Sequence, residues 1–214
     1  MKPKYWDDAK RALSRRDAVL RRIIRAHPDV HLRRRTDPFT ALARAIVGQQ
    51  ISVKAADSIW TRIVALAGTT RARGAFPHLD PQRVVALEES ALRAAGLSKS
   101  KATYVRDLAQ HFVSGKLDPR SWRKLDDEDL IALLVDVKGI GRWTAEMFLI
   151  FHELRPDVFP VGDIGLKRAL AMHYNAGVAM ALEAMHALGA AWQPYRSVAT
   201  WYLWRSLDPV PVEY

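Results

Sequence analysis

Residues 137–143 read VKGIGRW, and the architecture of the chain follows from them. Two glycines bracket one isoleucine. A helix that turns sharply into another needs backbone of positive φ, and Gly139 and Gly141 are the residues expected to adopt it without strain. Ile140, between them, is expected to lodge between the two helices and fix their crossing. The amides from Gly139 to Trp143 then lie at a helix N-terminus, where successive N–H groups form an anion-binding concavity. On spacing alone, an ordinary αα-turn is the simpler reading.

The flanks support a hairpin between helices. Upstream, DDEDLIALLVDV (126–137) opens with acids, which the helix dipole favours near an N-terminus. Downstream, TAEMFLIFHE (144–153) is apolar nearly all round, so that helix is predicted to be buried. Helical periodicity continues along the rest of the chain, and strand-like alternation is hard to find. An all-α fold is expected. Asp37-Pro38, Asp80-Pro81 and Asp118-Pro119 each place a capping side chain before a proline at the first helical position. Ser52 is expected to cap a helix ending at Gly68, and Ser98 one ending near Gly115.

Composition narrows the function. The 214 residues carry 33 lysines and arginines against 23 acids, a formal charge of +10, which nominates a polyanionic partner unless the charge serves solubility alone. There is no cysteine, so disulfides, thiolate catalysis and iron–sulfur clusters are excluded. No apolar run approaches bilayer length and the N-terminus does not resemble a signal peptide, so a cytoplasmic protein without membrane contact is expected. The seven histidines show no metal-ligand spacing, and His152 and His173 are read as packing or surface residues. The cluster Arg33-Arg34-Arg35 is read as a solvated face.

Twenty residues beyond Trp143, in VFPVGDIGLKRAL (158–170), stands Asp163 after a Pro-Val-Gly loop and before a helical pattern. An N-cap is its simplest role. A second role can coexist with the first, because capping fixes a carboxylate's orientation while leaving an oxygen to face a ligand.

Together, VKGIGRWTAEMFLIF and RPDVFPVGDIGLKRAL resemble the helix-hairpin-helix, Gly/Pro-rich loop and aspartate signature (HhH-GPD) of base-excision DNA glycosylases. AIVGQQISVKAADSIW (45–60) and QPYRSVATWYLW (193–204) make the chain most similar to the alkylation-repair branch, the 3-methyladenine DNA glycosylase II or AlkA-like proteins, from about Asp37 onward. The resemblance implies two helical subdomains flanking a DNA cleft, one of about residues 37–150 and one of about 1–36 with 151–214. Residues 1–214 would then be one glycosylase unit, a monomer in the compact form without an N-terminal β domain, associated with the nucleoid if bacterial.

The resemblance also assigns residues. Asp163 is the catalytic acid. Trp143, Trp204, Met147 and Val53 line the base pocket, Met147 and Ile164 standing where some relatives carry aromatics. Gln50, with Gln49, is the wedge that fills the gap left by a flipped base. Gly139, Gly141, Arg142, Lys138 and Lys167 contact phosphates of double-stranded DNA, while Trp201 and Tyr202 are read as core. No small-molecule cofactor is implied, but the carbonyls of Val135, Val137 and Ile140 would hold a monovalent cation. Superfamily members that cut the DNA backbone carry a lysine where this chain has Trp143, so hydrolysis without strand cleavage is expected. Three alternatives stay open at this point: a glycosylase for another lesion, a catalytically silent DNA-binding module, and an all-α interaction protein.

Overall fold

The structure is a computed structural model describing residues 2–34, 36–69 and 77–207. Among them are twelve α-helices, one 3-10 turn and a single pair of two-residue strands, Gly68–Thr69 against His78–Leu79. That pair is the one departure from all-α structure. Among the described residues, no helix is long and apolar enough to cross a membrane. Contacts divide the chain into two compact units, Arg35–Phe148 and Met1–Arg34 with Leu149–Tyr214.

In the unit of Arg35–Phe148, α3 (Pro38–Gly48), α4 (Val53–Ala67), α5 (Pro81–Ala86), α6 (Glu89–Ala94), α7 (Lys99–Val113) and α8 (Asp127–Val135) precede most of α9 (Arg142–Phe151). Their starts are chemically specified. Asp37, Ser52, Asp80, Ser98 and Asp126 each accept a first-turn backbone amide, each such cap contributing about 1 kcal/mol. Asp118 departs from the expectation. Its carboxylate accepts the Arg120 amide at 3.0 Å and its carbonyl accepts that of Ser121 at 3.0 Å, closing a turn instead of opening an α-helix. The 3-10 turn Trp122–Lys124 follows directly. This path inserts Trp122, fully buried, into an edge-to-face series running Phe39, Phe112, Trp122, Phe148 at centroid spacings of 5.2, 6.2 and 5.6 Å. Burying an indole outweighs extending a short helix.

The other unit joins α1 (Trp6–Arg16) and α2 (Ala18–Ala26) to α10 (Ile164–Tyr174), α11 (Leu182–Ala190) and α12 (Arg196–Leu207). Trp6 packs edge-on against Trp201 at 5.4 Å and lies 6.0 Å from Tyr202, so both are core, as the sequence indicates. Asp17 is a hub. One oxygen caps α2 through the amides of Val19 and Leu20, and the other accepts the Tyr174 hydroxyl at 2.9 Å and the Trp192 indole N–H at 3.0 Å. Helices distant in sequence are thereby tied at one carboxylate.

Candidate active site

The stretch RPDVFPVGD (155–163) is anchored to the start of α12. Asp157 receives the Arg196 guanidinium in a two-pronged pair at 2.9 and 2.8 Å and the Arg196 amide at 3.1 Å. The Ser197 hydroxyl accepts the Val158 amide at 2.8 Å, and the Ser197 amide donates to the Pro156 carbonyl at 3.0 Å. Phe159 lies against Gly189 of α11, where a Cβ would meet its ring at 2.5 Å. The loop then closes as the Asp163 amide donates to the Pro160 carbonyl at 2.8 Å.

Asp163 caps α10, its Oδ1 accepting the Leu166 amide at 2.6 Å. The same oxygen accepts the Trp204 indole N–H at 2.8 Å. Because α12 carries Arg196 and Ser197 at its start and Trp204 two turns on, one helix both anchors the loop and orients the acid at its end. The Trp204 ring stacks on Phe151 at 5.7 Å and 13° between planes. Gly165 keeps this corner open, since a Cβ there would stand 3.1 Å from Asp163 Oδ1 and 3.2 Å from the indole. Ile164 is 82% exposed, and Lys167 is exposed on the same helix.

The hairpin belongs to the other unit. Gly139 has φ +82, as expected, and the reason is doubled: a Cβ would lie 2.2 Å from the Tyr104 ring. Gly141 corrects the expectation. It is outside the positive-φ region, and a Cβ there would meet nothing within 4 Å. The turn needs one left-handed residue, because Ile140 closes it by donating its amide to the Val137 carbonyl at 3.1 Å. That bond removes the Ile140 amide from the expected set of exposed donors. Asp107 of α7 takes the Lys138 amide at 2.9 Å, bracing the hairpin from below. Ile140 and Val137 are buried, Val135 is half exposed, and Lys138 points outward into solvent.

The helix after the hairpin is buried from Thr144 to Ile150, as its composition predicts, with Met147 at 6% exposure and Trp143 at its rim at 41%. Arg142 sits between carboxylates, donating to Glu128 at 2.8 and 2.5 Å and to Glu146 at 3.0 Å. The Glu128 hydrogen bonds push its guanidinium pKa further up and hold the Glu128 carboxyl below the usual range. As placed, Arg142 joins α8 to α9, and a phosphate would have to displace Glu128 to reach it.

The glutamine segment divides by role. Gln49 donates its side-chain amide to the Gly139 carbonyl at 2.9 Å, making it a strut to the hairpin rather than a wedge. Gln50 is exposed and has φ +56, a left-handed conformation that a non-glycine residue adopts at a cost. Lys101 of α7 holds the backbone beneath it, donating to the carbonyls of Val47 at 2.9 Å and Gln49 at 2.6 Å, and burial pulls its pKa below the ordinary lysine value. Val53, one turn further, is 75% exposed. Lys101, Tyr104 and Asp107 lie outside every motif, and nothing in the sequence marks them. Of the arginine cluster, Arg34 donates to the His152 carbonyl at 2.7 Å and pairs with Glu153 at 3.2 Å, while Arg35 lies outside the described residues.

The sequence pattern of the HhH-GPD superfamily base excision DNA repair proteins matches residues 43–194. The chain belongs to this superfamily. The HhH-GPD chain is 32% identical over 173 residues to DNA-3-methyladenine glycosylase 1 of Schizosaccharomyces pombe, covering 79% of itself and 72% of that protein. To a Bacillus subtilis relative it is 31% identical over 170 residues, spanning 59% of that relative's length. In structure it is similar to a DNA-3-methyladenine glycosidase from Bacillus halodurans, with a TM-score of 0.80, 36% identity and coverage of 91% and 86% of the two chains. It is also similar to the Schizosaccharomyces pombe 3-methyladenine DNA glycosylase in complex with abasic DNA, with a TM-score of 0.76, 27% identity and coverage of 93% and 96%.

Proposed function

We propose that this protein is a monofunctional DNA glycosylase of base excision repair that removes alkylated purines, of the 3-methyladenine and 7-methylguanine type, from duplex DNA. The observation that carries this reading is the Asp163 carboxylate held by two N–H donors, the Leu166 amide and the Trp204 indole, at the end of an anchored loop. As the base departs, positive charge builds on the deoxyribose, and a preoriented carboxylate beside C1′ stabilises it without reorganising. The breaking bond's electron pair leaves with the purine, whose alkyl-derived positive charge it neutralises. Water forms the new bond to C1′ and releases its proton, with Asp163 placed to orient it. An already cationic base needs no general acid. Position 143 supplies an indole where an amine would be needed for a Schiff base, so the expected product is an intact abasic site.

The remaining residues bind and open the duplex. The hairpin around Gly139 is suited to phosphates by Lys138 and its helix-start amides, and Lys167, exposed on α10, offers a further cation. Gln50, exposed and held left-handed, fills the gap left by the flipped base. Trp143 offers a partly exposed indole face to a cationic purine. The carbonyls of Val135, Val137 and Ile140 are the oxygens for a monovalent cation at the hairpin; Val137's already accepts one amide, which leaves a lone pair for an ion. The test is incubation of wild type and Asp163→Asn with methylated duplex DNA, with chromatography of free bases and scoring of strand nicks. Base release by wild type alone, without nicking, is expected. Equal release by both would reduce Asp163 to a helix cap.

A further inference from the structure

The formal charge of the protein is concentrated in the first part of the sequence. Residues 1–34 hold 11 lysines and arginines against 4 acids, a net +7 of the chain's +10. The whole of residues 35–214 therefore contributes +3. This N-terminal segment precedes the residues that match the HhH-GPD pattern, which begins at residue 43.

On the packed pair α1 and α2 these cations converge. Lys10, Arg11 and Arg15 on one helix and Arg21 and Arg25 on the other line an open groove of about 480 Å³ that has no acidic residue in its lining. The four-residue spacings Arg11–Arg15 and Arg21–Arg25 put each pair on one stripe of its helix, and Lys10 lines the same groove beside them. The geometry is braced: Arg21 Nε donates to the Ser14 carbonyl at 2.6 Å and Lys10 to the Pro28 carbonyl at 2.6 Å. Both bonds go to neutral carbonyl oxygens, which orient the cations without cancelling their charge. Arg11 is paired at the edge with Asp8, while Arg15 and Arg25 are exposed. Complementing the helix dipole accounts for Arg15 and Arg25, which stand near helix C-termini. It does not account for Lys10, Arg11 and Arg21 turning into the same groove.

We propose that the α1–α2 groove is an auxiliary binding surface for the phosphate backbone of double-stranded DNA, separate from the hairpin. The charge suits a polyanion, the groove has no base-reading amide side chains, and arginine forks match phosphate oxygens. Its contribution is sequence-independent affinity, the component that keeps a repair enzyme on undamaged duplex while it searches.

The experiment measures affinity for an undamaged duplex across a salt series, with the Arg15→Gln/Arg25→Gln double variant beside wild type and thermal melts confirming that each is folded. Loss of two phosphate contacts reduces the slope of log affinity against log salt by roughly 1.8, so between 50 and 200 mM salt the wild type loses roughly twelvefold more affinity than the variant. The charge-conserving Arg15→Lys/Arg25→Lys variant is expected to keep most of the wild-type slope. An unchanged slope in the glutamine variant overturns the proposal, as does an unchanged slope accompanied by lost binding to phosphatidylglycerol vesicles, which would assign the groove to a lipid surface. Because the ligand is undamaged DNA, the result is independent of base excision: failure of the glycosylase reading would appear in the Asp163→Asn comparison and leave this slope untouched.

Discussion

The indole N–H of Trp204 and the backbone amide of Leu166 converge on one oxygen of Asp163, at 2.8 and 2.6 Å. A helix cap and a side-chain donor thus share a single acceptor. Replacing Trp204 by phenylalanine removes the donor while keeping an aromatic ring to stack on Phe151. A hydrogen bond to a charged group is worth about 1.5–3 kcal/mol. Single-turnover base excision is therefore expected to fall roughly 10- to 150-fold, with affinity for undamaged duplex unchanged. A rate within twofold of wild type would show that the indole does not orient the acid.

The cap and the chemistry at Asp163 can be separated by choice of substituent. Asparagine caps helices about as well as aspartate, whereas alanine loses about 1 kcal/mol of stability. Both variants are expected to lose excision by at least about 100-fold, but only Asp163→Ala should lower the urea midpoint. Paired denaturation curves and base-release assays check this.

The two hairpin glycines should respond differently. Gly139 combines φ +82 with the Tyr104 ring 2.2 Å from a notional Cβ, so Gly139→Ala is expected to destabilise by at least about 2–3 kcal/mol. Gly141 has neither constraint, and Gly141→Ala should change stability by less than about 1 kcal/mol. Denaturant melts of both variants decide it, and equal effects would contradict the turn described above.

Gln50 holds a left-handed conformation at φ +56. Gln50→Gly is expected to stabilise the protein by about 1 kcal/mol, since glycine adopts this region without the steric penalty, while slowing excision from duplex DNA. Excision from single-stranded DNA, where no base stack has to be filled, should be less affected. A variant that loses activity equally on both substrates would argue against a wedge.

Acid stability should involve Asp37. Burial alone would raise its pKa, but hydrogen bonds from the Thr40 side chain and backbone and from His78 outweigh burial and hold it below the ordinary carboxylate value. A carboxyl depressed in the folded state contributes stability that is fully present above its unfolded pKa of about 3.9 and is lost as pH falls through the folded value. Asp37→Asn retains the cap on α3 and removes the charge, so its stability should decline less steeply than wild type below about pH 4. Urea midpoints from pH 6 to pH 2 measure the difference.

The parts legible in the sequence are those set by local chemistry. Capping side chains before prolines or helical periods located Asp37, Asp80, Ser52, Ser98 and Asp163, because an N-cap satisfies amides only two or three residues away. The apolar run after the hairpin showed a buried helix, and Gly139 marked a backbone that L-residues avoid. The superfamily followed from the order of these local signals. Other assignments depended on groups distant in the chain. Asp118-Pro119 carried the same local signal as Asp37-Pro38, yet tertiary burial of Trp122 favoured a turn. Gln49 became a strut only because the Gly139 carbonyl, 90 residues away, lies within reach of its amide. Trp204 meets Asp163 across 41 residues, and Lys101 reaches the glutamine loop across 52.

The basic groove shows the same limit. Lys10, Arg11, Arg15, Arg21 and Arg25 form no motif in the sequence, and they line one groove only because α1 and α2 pack together. Sequence alone determined most of the helices, the hairpin and the cap at Asp163, because those depend on backbone conformation and capping over a few residues. Tertiary structure decided which donors hold the acid, which glutamine remains exposed and where the excess charge gathers, because side chains far apart in sequence meet only when the helices pack.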